Sequence, residues 1–413
     1  MNPIELYLSK QKLQPLIFGT EVNRNLEFIV VIPCHNENEI DPCLVSLETA
    51  AIQAGVVIEI LIVINDAVHS TAEVKIQNSK MYSWLSGRSC QFPLLFTYLN
   101  SIPDKQAGVG YARKAGMDAA IYRFAHIHQF HGIICSMDAD TRVAPGYFAE
   151  IKRAAVNKNW ECLILYYEHD WSMIPDPRQI KAIVDYELHL RYYVAAQHFA
   201  GFPFAYQTLG SAFAVRTLAY ALVGGMPPRQ AGEDFYFIQK FSKRNTVANL
   251  GSTAVYPSAR ISDRVPFGTG KALSDAMTHS EGAFRTYAWQ SFVDLKPLLD
   301  NLELVYLNSD LSKPNLSRGV LDFLQHIDFD SRLAEIKQHT NSYSTFLKRF
   351  FTVMDAFMMM KYVHFMRDRW YTNDLLVEAC NHLLNRIEPG IQPIRDPAAL
   401  LTKFREMDRT HGL

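Results

Sequence analysis

Five short apolar runs, each of the length of a buried strand, constrain the fold of this chain more than any other feature. Within them apolar residues follow one another without regular alternation, which is typical of strands covered on both faces of a sheet. Segments with helical spacing of apolar residues separate the runs, so the pattern predicts an α/β fold with a mostly parallel sheet and right-handed crossovers. The runs are FIVVIP from residue 28, EILIVIN from 59, LLFTYL from 94, GIICSM from 132 and CLILYY from 162.

The pattern changes after residue 170. A long segment from Pro175 has helical spacing, and GFPFAYQTLGSAFAVRTLAYALVGGMPPRQAGEDFYFIQKF indicates a strand and loops that lead into a helix. The remainder, from about Asp275, is mainly helical in pattern. We therefore predict an N-terminal extension over 1–26, a sheet domain over 27–274 and a helical region over 275–413.

Composition excludes several classes of protein. Of the 413 residues, 48% are hydrophobic and 20% are charged, which indicates a globular chain with ample core. The formal net charge of −1 provides no electrostatic footprint for nucleic acid, so no nucleic-acid partner is expected. The six cysteines form no C-x-x-C pair, which argues against zinc or redox chemistry and favours free thiols in a reducing compartment.

The sequence predicts a cytoplasmic protein. The first residues lack the basic start, apolar centre and cleavage site of a signal peptide. The most apolar candidate for a membrane span begins at Phe350 and is interrupted by Asp355, Lys361 and His364. A transmembrane segment is therefore not expected, whereas a peripheral membrane contact stays open.

Polar clusters follow three of the apolar runs. PCHNENE follows the first run, NDAVHST the second and DADTRVAPG the fourth. The carboxyl ends of parallel strands meet at one edge of a sheet, and ligands bind there. We therefore expect the three clusters to form one cleft.

Asp138 and Asp140 stand one residue apart just past the fourth run, where their like charges repel unless a cation relieves them. Mg²⁺ suits such a pair because it prefers oxygen ligands and is commonly shared between one or two carboxylates and substrate phosphates. Alternatively, the two acids simply cap a helix that begins near Pro145. The spacing alone leaves both interpretations open.

A second acidic pair, Glu233 and Asp234, begins an amphipathic helical segment, GEDFYFIQK. Acids in a first turn stabilise a helix through its dipole. In a cleft, one carboxylate of such a pair can instead act as a general base while the other orients it.

Taken in order, these motifs resemble those of the family-two glycosyltransferases, which have the nucleotide-sugar-binding GT-A fold. The resemblance covers roughly residues 27–270. Its metal would be Mg²⁺ or Mn²⁺, its donor a UDP- or GDP-sugar and its acceptor an unidentified hydroxyl compound. It rests on VVIPCHNENE, VINDA, GVGYARKAGMDAA, SMDADT, GSAFAVR, VGGMP and GEDFYF.

The resemblance implies a role for each matching residue. Asp66 would contact the nucleotide base, and Asp138 would contact the ribose or donor sugar. Asp140 would bind the metal, with Asp138 as a second metal ligand. Asp234 would be the base of an inverting displacement, with Glu233 orienting it. The second motif departs from the family pattern, since it reads Asn-Asp-Ala. The other residues expected to bind the nucleotide sugar are Pro33, His35, Asn36, Glu37, Asn65, Arg113 (or Lys114) and Arg264.

Downstream, YPSARISDRVPFGTGKAL carries Arg260, Arg264 and Lys271 and is either a lid that grips the diphosphate or an ordinary solvated loop. His279 is a candidate third metal ligand, whereas His126 and His128 point away from each other on a predicted helix.

Two alternatives to a glycosyltransferase stay open. A sugar-phosphate nucleotidyltransferase would share the βαβ start, although the loop after the first run lacks the glycines that hold a triphosphate. A catalytically inactive nucleotide-binding scaffold would be expected to have lost acidic motif residues. A processive synthase is not favoured, because the chain contains no Q-x-x-R-W motif.

Overall fold

The computed structural model describes two compact units. The first consists of described residues within 1–173, 208–271 and 407–413, and the second of those within 174–207 and 272–406. The residues described are 2–11, 16–156, 160–261, 268–278, 283–308 and 315–410.

The first unit contains an eight-stranded sheet, counted over its described residues, with the strand order β3-β2-β1-β4-β7-β6-β8-β5. The pairings of β1 with β2 and β4, of β2 with β3 and of β6 with β8 are parallel. β7 and β5 run antiparallel to their neighbours. The predicted α/β class with a mostly parallel sheet is therefore confirmed. The strands are β1 (Phe28–Cys34), β2 (Ile58–Ala67), β3 (Leu94–Ile102), β4 (Ile133–Ser136), β5 (Arg142–Val143), β6 (Cys162–Tyr167), β7 (Phe213–Arg216) and β8 (Val247–Tyr256).

The five apolar runs correspond to β1, β2, β3, β4 and β6, and the strand expected near SAFAVR is β7. The sequence analysis missed β5, which has two residues, and β8, whose centre carries Gly251. A Cβ at Gly251 would lie 2.9 Å from the backbone carbonyl carbon of Arg409. This glycine therefore allows the backbone at Arg409 to lie close to β8. The same glycine interrupts the apolar pattern of the strand, which is why the sequence did not predict β8.

Helices make up most of the remaining described chain. The segments predicted to be helical are present, and the helix between the first two strands ends at Gly55, which has the left-handed conformation, φ 62°. The helices are α1 (Pro3–Ser9), α2 (Asp41–Ala54), α3 (Ala72–Gly87), α4 (Val109–His126), α5 (Tyr147–Ala155), α6 (Pro177–Ala200), α7 (Thr217–Leu222), α8 (Glu233–Ser242), α9 (Thr269–Thr278), α10 (Trp289–Asp300), α11 (Leu302–Asn308), α12 (Arg318–His326), α13 (Phe329–Gln338), α14 (Tyr343–Val353), α15 (Ala356–Arg369), α16 (Leu376–Ile387) and α17 (Pro397–Thr410).

Helix α4 packs closely on the sheet because it carries a glycine at the contact. A Cβ at Gly116 would lie 2.5 Å from Cγ1 of Val31 and 3.3 Å from Cγ2 of Val63. The helix backbone therefore lies directly over β1 and β2. This close packing fixes the position of the first turn of α4 relative to the ends of those strands.

The second unit is mainly helical, as expected for the region after about Asp275. Its helix α6 packs against α10 and α16, and a short antiparallel pair joins β9 (Arg285–Thr286) to β10 (Asp374–Leu375). The boundaries proposed from sequence at 26 and 274 stay predictions.

Two expectations about the whole chain can be compared with the structure. All six cysteines are free, and five of them are buried. In the described part of the chain, no helix combines the length and the apolar character required to cross a bilayer.

His189 on α6 makes the stability of the second unit dependent on pH. Its imidazole Nδ1 lies 2.8 Å from Oγ1 of Thr286, and its ring packs against Phe284 and Tyr287. Burial lowers the pKa of His189 to about 4, so the folded protein binds this proton less tightly than the unfolded chain does. The stabilisation is complete above the unfolded value near 6.5 and is lost as the pH falls toward 4.

We expect the unfolding free energy of the wild type to fall by up to about 3 kcal/mol more than that of His189→Gln between pH 6.5 and 4. Urea denaturation across this pH range measures the difference. His382→Gln, at an exposed position on α16 of the same unit, is the matched control and should follow the wild type. Parallel pH curves for wild type and His189→Gln would contradict the assignment.

Candidate active site

The three polar clusters lie at one edge of the sheet, as predicted. Strands β1 and β2 are parallel and in register up to Cys34 and Ile64, and β1 is parallel to β4, with Val31 beside Ser136. The loops that follow these strands therefore leave the sheet side by side. Pro33 lies within β1 opposite Val63, one residue before that strand ends.

The loop after β1 and the end of β2 are joined by Asn78, a fully buried residue of α3. Its side-chain amide donates to the carbonyl of Asn65 over 3.1 Å, and its side-chain oxygen accepts from the backbone N–H of Asn36 over 2.8 Å. The imidazole Nδ1 of His35 lies 2.7 Å from the same carbonyl of Asn65. Asn78 was missed from sequence because one asparagine in the polar run KIQNSK carries no signal of burial.

Asp66 is buried, and its carboxylate accepts three hydrogen bonds. The donors are the hydroxyl of Tyr98, the backbone N–H of Ser101 at 3.1 Å and the amide of Asn78 at 3.3 Å. Burial, followed by this carboxylate, raises the pKa of Tyr98 to about 12, which keeps the phenol protonated as a donor. Asp66 thus holds the end of β2 against β3 and α3, and its contact with a nucleotide base stays a prediction.

Arg113, on α4, joins two of the predicted acidic residues. Its guanidinium is 2% exposed and donates to the carboxylates of Glu233 and Asp138. Glu233 is equally buried, whereas the Asp138 side chain is 39% exposed. Gly210 lies against the guanidinium, since a Cβ there would be 2.7 Å from Nη2. Arg113 is thereby held by α8, by the loop after β4 and by the segment before β7.

Asp140 has a different arginine partner. Nη2 of Arg260 lies 2.9 Å from Oδ2 of Asp140 and also pairs with Oε1 of Glu37. Glu37 is nearly buried and Asp140 is partly exposed. The repulsion between Asp138 and Asp140 is therefore relieved by two arginines, one for each carboxylate, that come from distant parts of the chain.

Asp234 lies in the first turn of α8, which begins after Gly232 in the left-handed conformation, φ 70°. One carboxylate oxygen accepts the backbone N–H of Phe235 over 2.7 Å. The surrounding protein raises the pKa of Asp234, and the nearby charge of Arg113 opposes that shift. Of the acidic pair, Glu233 is engaged by an arginine, while Asp234 keeps partial access to solvent.

Lys114 pairs with residues outside the acidic cluster. Its ammonium donates to Asp118 over 2.7 Å and to the hydroxyl of Tyr7 over 3.0 Å, which links α4 to the N-terminal helix. Of the two basic residues proposed from sequence, Arg113 is the one that the fold brings to the acidic cluster.

The glycines at the start of α4 serve close packing. A Cβ at Gly108 would lie 2.8 Å from the carbonyl oxygen of Gln230, and one at Gly110 would collide with the carbonyl oxygen of Arg229. Glycine is required here because the first turn of α4 touches the backbone that leads into α8. The structure thus gives these residues a packing role.

The donor chemistry of this edge fits a hard divalent cation. Glu37 and Asp140 already converge on one positive charge, and Mg²⁺ commonly uses one or two carboxylates together with substrate phosphates. Within residues 2–410, apart from the undescribed gaps, no group of three or more acidic, histidine or cysteine side chains is arranged to hold a metal. Arg264 and His279, proposed from sequence, lie outside the described residues.

Comparison with known proteins gives matches only among solved structures. No family model matches the chain, and no curated protein matches it. The chain is similar to the crystal structure of S. aureus TarS, residues 1–349, in complex with UDP-GlcNAc. The sequence identity is 15%, the match covers 93% of this chain and 89% of that chain, and the TM-score is 0.38.

Two further similar structures are GalNAc-T7 with UDP, GalNAc and Mn²⁺, and M. tuberculosis glucosyl-3-phosphoglycerate synthase. The first has 15% identity, coverage of 65% of this chain and 49% of that chain, and a TM-score of 0.34. The second has 13% identity, coverage of 61% and 78%, and a TM-score of 0.34. All three TM-scores lie below 0.5.

The contact between Gly210 and Arg113 predicts a specific sensitivity. We expect Gly210→Ala to lower the unfolding free energy by about 1–3 kcal/mol, because the added methyl group displaces a guanidinium held by two carboxylates. Gly87→Ala is the control, since a Cβ there meets no atom within 4 Å, and it should change stability by less than about 0.5 kcal/mol. Urea unfolding measures both, and equal stabilities would contradict this position for Arg113.

Proposed function

We propose that this chain is a metal-dependent glycosyltransferase of the GT-A type, which transfers a sugar from a nucleoside-diphosphate sugar to an acceptor hydroxyl. One observation carries the proposal: five carboxylates and two arginines meet at the carboxyl edge of a mostly parallel sheet, where α/β proteins bind nucleotides. The order of motifs along the chain supports it. The residues are Glu37, Asp138, Asp140, Glu233 and Asp234 with Arg113 and Arg260.

In this proposal the donor lies across the ends of β1, β2 and β4. His35, Asn36 and Asn65 form the wall for the nucleoside, since Asn78 ties the loop after β1 to the end of β2. Asp138 contacts the ribose or the donor sugar through the exposed part of its carboxylate. Asp140 and Asp138 would hold Mg²⁺ or Mn²⁺, which when bound neutralises the charge that develops on the departing diphosphate.

Asp234 acts as the general base. It removes the proton of the acceptor hydroxyl as the oxygen attacks the anomeric carbon, and the bond from that carbon to the diphosphate oxygen breaks with its electron pair. Attack opposite the leaving group inverts the anomeric centre. Glu233, paired with Arg113, positions the start of α8. A raised pKa suits Asp234 to this task, because a more basic carboxylate accepts a proton more readily.

Titration of UDP and GDP by calorimetry, each with and without Mn²⁺ or Mg²⁺, tests the donor site. We expect one nucleotide to bind in a metal-dependent way and Asp140→Asn to weaken that binding by about tenfold or more, since one ligand is worth at least 1.4 kcal/mol. Asp170→Asn is the control: this aspartate also pairs with an arginine, Arg142, in the same unit. Absence of nucleotide binding, or wild-type binding by Asp140→Asn, would overturn the donor site.

Assays on the same protein preparations distinguish a glycosyltransferase from a nucleotidyltransferase. A glycosyltransferase releases UDP or GDP from the nucleotide sugar and leaves a nucleoside triphosphate untouched. Release of pyrophosphate from UTP or GTP with a sugar 1-phosphate would instead indicate a nucleotidyltransferase. A cytoplasmic location and single-sugar addition stay predictions from the sequence.

Asp234→Asn tests the base. We expect release of nucleoside diphosphate from the donor to slow by about 10²–10⁴-fold while nucleotide affinity stays within about twofold, because the amide keeps the shape and cannot accept the proton. In the wild type, activity should rise with pH through the raised pKa of Asp234, and this acidic limb should be absent from the variant. An unchanged pH–rate profile in Asp234→Asn would exclude Asp234 as the base.

A further inference from the structure

Arg260 occupies the position at which the two carboxylates Glu37 and Asp140 converge. A single nitrogen, Nη2, pairs with both of them, although one lies in the loop after β1 and the other in the loop after β4. These two carboxylates carry a charge of −2, and Arg260 supplies +1. The pair is therefore bridged by a cation that belongs to the chain.

We propose that Arg260 is an exchangeable cation: it holds the Glu37–Asp140 pair while no nucleotide is bound, and it moves to the diphosphate when the donor and a divalent metal bind. This inference rests on the proposed function. It assigns to Arg260 a positioning role that couples two binding events, metal binding at the carboxylates and diphosphate binding beside them.

The two arginines of the site differ in how firmly they are held. Arg113 is 2% exposed, is paired with the buried Glu233 and lies against Gly210. The side chain of Arg260 is 33% exposed, and a single nitrogen, Nη2, pairs with both Glu37 and Asp140. The Nε of each arginine is buried without a hydrogen-bond partner among the described residues, so the two arginines differ in exposure and packing. Arg260 is consequently the arginine that can exchange its partner, and Arg113 is the fixed one.

Charge balance favours the exchange once both ligands are present. A divalent metal at Asp140 would bring a charge of +2 to a carboxylate that Arg260 pairs with a charge of +1. The guanidinium then pairs with phosphate oxygens, for which its planar donors are well suited. Arg260 and the metal compete for Asp140, and the diphosphate removes the competitor. Metal and nucleotide must therefore strengthen each other's binding by the same factor.

The experiment measures the affinity for Mn²⁺ alone and for Mn²⁺ with saturating UDP or GDP, from the free-Mn²⁺ electron paramagnetic resonance signal. Arg260→Gln removes the charge while keeping a polar side chain. We expect this variant to bind Mn²⁺ alone about tenfold or more tightly than the wild type, because the competing cation is absent. Nucleotide should then tighten Mn²⁺ binding about tenfold or more in the wild type and less than about threefold in the variant.

Two further variants exclude simpler explanations. Arg260→Lys keeps the positive charge, so its affinity for Mn²⁺ alone should stay within about threefold of the wild type. Nucleotide should tighten Mn²⁺ binding less in this variant than in the wild type, because an ammonium cannot pair with phosphate through two parallel bonds. Arg142→Gln removes a cation that pairs with Asp170 and should leave both affinities unchanged. Thermal unfolding of each variant confirms that it is folded.

Two results are distinguishable. If Arg260→Gln is folded and binds Mn²⁺ alone as weakly as the wild type, or if Arg260→Lys gains as much metal affinity as Arg260→Gln, the exchange is overturned. If no variant, including the wild type, binds UDP or GDP, the proposed function is overturned, while the comparison with Mn²⁺ alone still decides whether Arg260 competes with a metal.

Discussion

The buried guanidinium of Arg113 is the interaction on which the candidate site depends. It joins α4 to Glu233 at the start of α8 and to Asp138 after β4. Breaking a buried ion pair by removing one partner costs about 3–5 kcal/mol, because the other charge is left without compensation. The three elements therefore cannot separate without a large penalty, and this constraint fixes Asp138 and the first turn of α8 relative to each other.

Close backbone contacts make this ion-pair arrangement attainable. Gly116 lets α4 lie directly on β1 and β2, and Gly108 and Gly110 let its first turn touch the segment that leads into α8. Gly210 leaves room for the guanidinium itself. A side chain at any of these positions would occupy space that another group fills, so the geometry of the acidic cluster follows from where the helix can approach its neighbours.

Much of the architecture was predictable from local pattern. The apolar runs gave β1, β2, β3, β4 and β6 within a few residues at each end, because continuous burial leaves a continuous apolar signature. The alignment of three polar clusters at one edge followed from parallel topology. What escaped prediction had no local signature: β8 is interrupted by Gly251, and Asn78 is one asparagine in a polar run although it ties the loop after β1 to the end of β2.

The sequence by itself determined the strands and helices, the edge at which the acidic residues lie, and the chemical types present there, since these depend on periodicity and on neighbours along the chain. Only the tertiary structure decided which cation faces which carboxylate. The sequence analysis predicted a metal at Asp138 and Asp140 but assigned neither carboxylate an arginine partner. The fold places Arg113 beside Asp138, and Arg260 beside Asp140 and Glu37. Arg260 and Glu37 are separated by 223 residues, and a local pattern carries no information about a pairing between side chains that distant.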